Sequence, residues 1–167
     1  MSNQSNKIIL ASDLARIESE HRSLKVKKLH HNAQLPKRQL SEDAGYDIYS
    51  PESITIPARR KCIVSTGIAI QLPECQIPDH IYCFKIISRS GLSVRNNIEI
   101  GAGLIDKSYI GEIKVILYNH SDKDHKINIG DRIAQGIIIT AAIPKVIEVQ
   151  ELLNTDRGTN GFGSTGY

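Results

Sequence analysis

The sequence predicts an all-β domain. Its apolar residues are mainly β-branched, and the 167 residues include no Trp and only two Phe. They occur in short runs separated by Gly, Pro, Asn and Asp, a spacing typical of a sandwich, a barrel or a jelly roll. The clearest runs are 54–56, 62–65, 68–72, 81–87, 113–118 and 133–139. The segment "EIKVILYN" alternates apolar and polar residues, as a half-buried strand does.

The length of 167 residues corresponds to one domain with a core of its own. We expect residues 1–22 to be an N-terminal extension, partly helical or disordered, because Leu10, Leu14 and Ile17 recur at helical spacing. The β-domain is expected at 23–153, with a last strand-like run at 146–149. Residues 154–167 end in "RGTNGFGSTGY", and these glycines alone are compatible with either a frayed tail or a flexible flap.

Composition excludes several classes of function. The net charge is +3, and the basic residues are not interleaved with aromatic ones, so we expect no nucleic-acid partner. No apolar run has the length of a membrane span and no signal peptide begins the chain, so no membrane partner is expected. The three cysteines, Cys62, Cys75 and Cys83, lack CxxC spacing, which favours a reduced intracellular compartment, cytoplasmic or nuclear.

Five stretches combine Gly or Ser with a charged or amide residue beside an apolar run. They are "AGYDIYS" at 44–50, "SRSGLS" at 88–93, "GAGLIDKSYIGE" at 101–112, "GDRIAQG" at 130–136 and the final segment. Each alone is compatible with an ordinary turn: Asp47 could be a turn carboxylate, and Asp131 with Arg132 a surface pair. Together they contain the groups that a triphosphate site needs.

The candidate phosphate ligands differ in chemistry. Arg89 offers a planar cationic fork, Ser90 and the N–H of Gly91 are donors, and Gln135 is a neutral donor. Asp47 could hold the waters of a hydrated Mg²⁺, an ion that dehydrates reluctantly. The sequence contains no GxxxxGK[ST], HExxH or GxSxG motif, which excludes a P-loop, this zinc-protease motif and a nucleophile elbow.

Asp106 is the candidate general base. It follows an apolar run, so we expect it at the rim of a partly desolvated pocket, where it could accept a proton from water. Tyr109 could lay its ring beside a ligand. The alternative is that Asp106 begins a turn and Tyr109 belongs to the core.

The five stretches, in this order and spacing, resemble the five motifs of the trimeric dUTP pyrophosphatases (dUTPases). The resemblance covers about residues 24–167, and "GAGLID" and "RGTNGFGSTG" are its most specific parts. It implies a jelly-roll-like β-barrel of the dUTPase type that forms a homotrimer with shared active sites. The implied reaction, which requires Mg²⁺, converts dUTP and water to dUMP and pyrophosphate. It would lower the concentration of dUTP and supply dUMP for dTMP synthesis.

The same resemblance implies roles for individual residues. Asp106 would orient the water that attacks the α-phosphorus, and Tyr109 would pack on the deoxyribose. Uracil would be recognised by the main chain of the hairpin and a lysine on the following strand, that is, by Gly103, Leu104, Ile105 and Lys114. The phosphates would be held by Arg89, Ser90, Gly91 and Gln135, and Asp47 would support the metal through water. From the final segment, Phe162 would cover the uracil, and the flap residues on the phosphates would be Arg157, Gly163, Ser164 and Thr165.

The sequence departs from the family pattern in places. Ser88 stands where proline is usual, Gly136 where a bulky apolar residue is common, and Asn160 where glycine is usual. Lys107 and Ser108 replace a pair that is often acidic, and about six additional residues lie near 75–80. Two alternatives stay open. One is a dCTP deaminase-like enzyme, although Ile116 stands where those enzymes have a catalytic glutamate; the other is a non-catalytic dUTP-binding regulator.

Overall fold

The computed structural model describes residues 22–160. This part of the chain contains ten strands and one short helix. The strands are β1 (Lys25–Lys28), β2 (Tyr46–Tyr49), β3 (Ile54–Ile56), β4 (Lys61–Gln71), β5 (His80–Ile87), β6 (Ile98–Gly101), β7 (Leu104–Ile105), β8 (Glu112–Asn119), β9 (His125–Ile127) and β10 (Arg132–Ala142), and the helix is α1 (Ser90–Asn96). The predicted helical spacing near Leu10 and the end of the glycine-rich segment lie outside the described residues.

The strands form two four-stranded sheets, ordered β1-β4-β8-β6 and β2-β10-β5-β7, and a two-stranded sheet, β3-β9. Every pairing is antiparallel. The chain passes repeatedly between the two larger sheets, and their buried side chains form one core cluster. The all-β prediction is confirmed, with a jelly-roll-like arrangement of separate sheets rather than one hydrogen-bonded closed barrel in the described residues.

The pattern of β8 follows the sequence prediction closely. Ile113, Val115 and Leu117 are buried, whereas Lys114 is exposed. Since successive side chains of a strand point to opposite faces, this alternation sets one face of β8 on the core and leaves the other toward solvent.

The runs 62–65 and 68–72 are parts of one strand, β4, rather than two strands. The pairing of β4 with β8 shifts register between Ser65 and Ala69, and Gly67 in this interval has φ +66. The N–H of Gly67 donates to a carboxylate oxygen of Glu112 at 3.0 Å. A Cβ at Gly67 would lie 2.7 Å from the Cβ of His30, so a glycine is required at this bulge.

Two local predictions are wrong. The segment "SRSGLS", predicted as turn-like, leads into helix α1, which ends at Asn97 in the left-handed conformation with φ +53. The run 146–149, predicted as a strand, has no regular structure and is exposed, because no strand of the described chain pairs with it. Over residues 22–160, no helix has the length and apolar character needed to cross a membrane.

Gly136 accommodates the ring of Phe84, which is completely buried. A Cβ at Gly136 would lie 2.1 Å from Cζ and 2.4 Å from Cε1 of this ring. The ring therefore fills the space that a larger residue at 136 would need, which explains the departure from the family pattern at this position. Phe84 also pairs with Ile105 of β7, so its packing supports the strand that precedes Asp106.

We predict that Gly136→Ala destabilises the protein by roughly 1–3 kcal/mol, because the added methyl overpacks the core against Phe84. In a Phe84→Leu background the same change should be stabilising, since leucine lacks the three ring atoms nearest that methyl. Urea unfolding of the four chains measures both effects. An equal destabilisation by Gly136→Ala in the two backgrounds would contradict this explanation.

Candidate functional site

An open pocket of about 350 Å³ lies where β2, β10 and the beginning of α1 meet. We call it the Asp47 pocket. Its lining residues are Gln39, Asp43, Ala44, Gly45, Asp47, Arg89, Ser90, Gly91, Arg132 and Gln135. The structure thus brings together the five residues that the sequence predicted to bind phosphate or metal. They are Asp47 of the first stretch, Arg89, Ser90 and Gly91 of the second, and Gln135 of the fourth.

The carboxylate of Asp47 is the centre of this pocket. Asp47 is only 8 % exposed. Its Oδ1 accepts a hydrogen bond from Nε of Arg89 at 3.0 Å, and its Oδ2 accepts one from Nη1 of Arg132 at 3.1 Å. Nε2 of Gln39 donates to the same Oδ2 at 2.9 Å. Charge-assisted bonds of this kind orient both guanidinium groups at the pocket.

The strand register explains why these residues meet. Gln135 of β10 lies opposite Asp47 of β2 on one side and opposite Ile87 of β5 on the other. Arg89 follows Ile87 by two residues, so β10 places it beside Asp47. The side-chain amide of Gln135 donates to the carbonyl of Ser88 at 3.0 Å. This amide has a second N–H, which is available to a ligand.

The beginning of α1 presents main-chain donors to the pocket. The carbonyl of Arg89 accepts hydrogen bonds from the N–H groups of Leu92 and Ser93, at 2.9 and 3.0 Å. Ser90 and Gly91 precede these residues, and the first N–H groups of a helix have no acceptor within the helix. The sequence prediction that Gly91 offers its N–H to a phosphate is consistent with this geometry.

The hairpin before Asp106 contains a backbone conformation with positive φ that favours glycine. Gly103 has φ +102, and its carbonyl accepts the N–H of Ile86 at 2.7 Å. A Cβ at Gly103 would lie 2.6 Å from the carbonyl oxygen of Ile86, so only glycine fits. Strand β7 then pairs Leu104 with Lys85 and Ile105 with Phe84. The hairpin is therefore fixed against β5, and Asp106 comes directly after it.

Asp106 and Tyr109 form a turn on the surface. The carbonyl of Asp106 accepts the N–H of Tyr109 at 3.0 Å, and the Tyr109 hydroxyl donates to the carbonyl of Glu112 at 2.9 Å. The Tyr109 ring lies over Gly111, where a Cβ would come within 2.6 Å of the hydroxyl oxygen. Tyr109 is 47 % exposed, so it is not a core residue and its ring is accessible to a ligand.

The expected desolvation of Asp106 is not met within one chain. Asp106 is exposed, because β7 is the edge strand of its sheet and the described residues do not cover this edge. Asp106 does begin a turn, as the alternative interpretation of this motif proposed. A partly desolvated environment for this carboxylate has to come from a ligand or from another molecule.

The remaining predicted residues lie elsewhere. Lys114 is on β8, in the other four-stranded sheet, and its Nζ is 4.0 Å from a carboxylate oxygen of Glu112. Arg157 lies in an exposed turn, where its Nε donates to the carbonyl of Asn160 at 3.0 Å. The other predicted flap residues lie outside the described residues; they are Phe162, Gly163, Ser164 and Thr165.

Within one chain the two halves of the candidate site are far apart. Since Ile105 lies opposite Phe84, Asp106 comes near Cys83 of β5, whereas Arg89 follows the end of β5 at Ile87 and lies six positions after Cys83. At about 3.3 Å per residue, a chain that continued straight would put about 20 Å between the two backbones. An aspartate and an arginine side chain together do not span that distance without a ligand between them.

The described residues contain no cluster of three or more His, Cys, Asp and Glu side chains that could hold a metal ion. A direct bond from Asp47 to a metal does not fit its three existing hydrogen bonds. A carboxylate has about four acceptor positions, however, and Oδ1 of Asp47 accepts only from Arg89 among the described residues. One position is therefore free for a water molecule of a hydrated cation.

A family model described as dUTPase matches residues 31–166. The chain is 47 % identical over 143 residues to a deoxyuridine 5'-triphosphate nucleotidohydrolase of Oryza sativa subsp. japonica, covering 86 % of this chain and 80 % of that protein. The chain belongs to the dUTPase family.

Solved dUTPase structures have the same fold. The Staphylococcus bacteriophage 80alpha dUTPase, in complex with dUPNHPP, matches with a TM-score of 0.78 and 30 % identity, over 87 % of this chain and 99 % of that one. A mutant dUTPase from phage phi11 of S. aureus, described with a structural Mg(II) ion, matches with a TM-score of 0.71 and 27 % identity, over 79 % and 99 % of the two chains.

Arg132 is a central residue of this dUTPase-family site that was not predicted from the sequence. The local sequence indicates a surface pair with Asp131, whereas Arg132 binds Asp47. The Asp131 carboxylate accepts the N–H of Asn128 at 2.7 Å and so stabilises the turn before β10. Nothing in the local sequence indicates a contact between residues 47 and 132; only the pairing of β2 with β10 creates it.

We predict that Asp47→Asn destabilises this dUTPase-family chain by roughly 1–3 kcal/mol in buffer without divalent cations, because two guanidinium groups lose their ionic partner. Asp43→Asn is the matched control: its carboxylate lies in the same pocket, is less buried than that of Asp47, and accepts one main-chain N–H from Leu40. Denaturant unfolding compares the variants. If Asp47→Asn is as stable as Asp43→Asn, the carboxylate does not hold the arginines together.

Proposed function

We propose that this chain hydrolyses dUTP to dUMP and pyrophosphate, as its family membership and the geometry of its two half-sites indicate. The oxygen of water attacks the α-phosphorus, the bond from this phosphorus to the oxygen bridging to the β-phosphorus breaks, and Asp106 accepts the proton of the water. The observation that carries the proposal is that one chain contains both a cationic pocket centred on Asp47 and a hairpin, fixed against β5, that leads to the Asp106 carboxylate.

The Asp47 pocket supplies the charge that a triphosphate requires. The guanidinium groups of Arg89 and Arg132 are oriented by one carboxylate, so they meet the phosphates without a large loss of side-chain entropy. Ser90, Gly91 and Gln135 add neutral donors. Positioning and neutralisation of charge account for most of the catalysis in phosphoryl transfer.

A magnesium ion is part of the same proposal. When bound to the phosphates, Mg²⁺ neutralises part of their charge. Asp47 would accept a hydrogen bond from one water of the hydrated ion through the free position on Oδ1, while it continues to hold Arg89. The role of Asp47 toward the metal is therefore indirect, and its role toward the arginines is direct.

The edge of β7 is suited to recognise the base. An edge strand leaves main-chain N–H and C=O groups unpaired on its outer side, and these groups match the donor and acceptor pattern of a pyrimidine. We place uracil against Gly103, Leu104 and Ile105, with Lys114 beside it. The exposed ring of Tyr109 would then pack on the deoxyribose and disfavour a 2'-hydroxyl.

A shared site in a homotrimer is the arrangement that we infer. Asp106 lies beside the middle of β5 and Arg89 beyond its end, about 20 Å apart if the strand continued straight, which favours a site that takes them from different chains. The segment after β10 also leaves apolar side chains exposed that a neighbouring subunit would bury. These are Ile143, Val146, Ile147, Val149, Leu152 and Leu153.

We further propose that the β-domain extends over 23–153 and that 154–167 close over a site in a neighbouring subunit. In this proposal Phe162 covers the uracil, and Arg157, Gly163, Ser164 and Thr165 approach the phosphates. An intracellular location, cytoplasmic or nuclear, fits the three cysteines, which are free thiols in the described chain.

Asp106→Asn tests the proposed reaction. We expect turnover of dUTP to fall by roughly 10²–10⁴-fold, since the amide cannot accept the proton of the attacking water. Binding of a non-hydrolysable dUTP analogue should change little. Pyrophosphate release at saturating dUTP measures turnover, and calorimetry measures binding.

Asp122→Asn is the matched control for this experiment. The Asp122 carboxylate is exposed and, among residues 22–160, pairs with Arg59 on the surface, so its loss should leave turnover unchanged. Near-normal turnover of folded Asp106→Asn would reject Asp106 as the base.

A further inference from the structure

Glu99 on β6 is hydrogen bonded to the residue that precedes Arg89. The hydroxyl of Ser88 donates to Oε2 of Glu99 at 2.7 Å and accepts the N–H of Ile100 at 3.0 Å. Strand β6 belongs to the other four-stranded sheet, so these bonds connect the end of β5 with a second sheet. Ser88 is thereby fixed through its side chain as well as through its carbonyl, which accepts from Gln135.

The Ser93 hydroxyl of α1 lies near the same carboxylate, and its own hydrogen bond goes to the carbonyl of Arg89 at 3.3 Å. The Ser88 hydroxyl, and to a smaller extent the Ser93 hydroxyl and His120, lower the pKa of Glu99, so the carboxylate is held in its charged form. The direct connection from Glu99 to the segment from Arg89 to Gly91 is therefore the hydrogen bond with Ser88.

Helix α1 needs such an anchor. It has only seven residues, and its N-terminal cap residue, Arg89, makes no side-chain hydrogen bond to the helix. The guanidinium of Arg89 is bonded instead to Asp47 and to the carbonyl of Arg132. A helix this short is marginal without outside contacts. The hydrogen bond from Ser88 to Glu99 provides such a contact, because it ties the residue before Arg89 to β6.

We propose that Glu99 is a positioning residue for phosphate binding: through Ser88 it holds Arg89, Ser90 and Gly91 in place at the Asp47 pocket. The inference rests on the proposed function of that pocket as the phosphate site. It also explains the serine at position 88, because a hydroxyl anchored on β6 restricts the turn that a proline would restrict through its ring.

The test measures binding of two fragments of the substrate, pyrophosphate and deoxyuridine, by calorimetry, together with kcat and KM for dUTP. The variants are Ser88→Ala, Glu99→Ala, the double variant and Ser88→Thr, which keeps the hydroxyl. Ser121→Ala is the control, because it removes a serine hydroxyl whose bonds stay within the turn 119–123.

We expect Ser88→Ala and Glu99→Ala each to weaken pyrophosphate binding by roughly 3–10-fold and to raise KM to a similar extent, with kcat changed by less than about twofold. The double variant should be no weaker than Glu99→Ala, because both changes break the same connection. Ser88→Thr and Ser121→Ala should bind pyrophosphate like the unmodified protein. Deoxyuridine binding should be unchanged in all variants.

Pyrophosphate affinity unchanged in folded Ser88→Ala would overturn the proposal. An equal loss of pyrophosphate and deoxyuridine affinity would overturn it too, since it would indicate a general structural defect. Pyrophosphate binding does not depend on turnover, so failure of the proposed hydrolysis would appear separately, as an unmodified protein that binds pyrophosphate but does not cleave dUTP.

Discussion

The carboxylate of Asp47 is the interaction on which the candidate site depends. It joins Arg89, at the end of β5, to Arg132, at the beginning of β10, and to Gln39 in the loop before β2. Without an anion between them, two guanidinium groups this close would repel each other and would be oriented by solvent rather than by the protein. One buried negative charge thus orients both guanidinium groups at the Asp47 pocket, the arrangement that the proposed triphosphate ligand requires.

The second constraint is the edge position of β7. The left-handed Gly103 and the pairing of Ile105 with Phe84 fix the hairpin, and this places Asp106 on an uncovered edge about 20 Å from the Asp47 pocket. A rigid fold cannot bring these two halves together by a side-chain rotation. In the proposed trimer, the exposed apolar residues after β10 and the exposed Asp106 would both be covered by a second chain.

Much of this was predictable from the sequence. The alternation in β8 and the positions of β3, β5 and β10 follow from local patterns, and the predicted ligands Asp47, Arg89 and Gln135 do line one pocket. The partner of Arg132 was not predictable, because strand pairing over 85 positions creates it. The exposure of Asp106 was mispredicted since burial was inferred within one chain. Helix α1 was missed because it has only seven residues and no side-chain N-cap, so its sequence carries no helix signal.

The central claim is that one active site takes Asp106 from one subunit and Arg89 from another. Mixing Asp106→Asn with Arg89→Ala chains, unfolding them and refolding them together tests it most directly. Each variant alone should be nearly inactive. Random assembly of equal amounts gives both intact residues at roughly a quarter of the sites, so about a quarter of the activity should return. If trimers shown to contain both chains are no more active than the separate variants, base and pocket belong to the same subunit and the account is wrong.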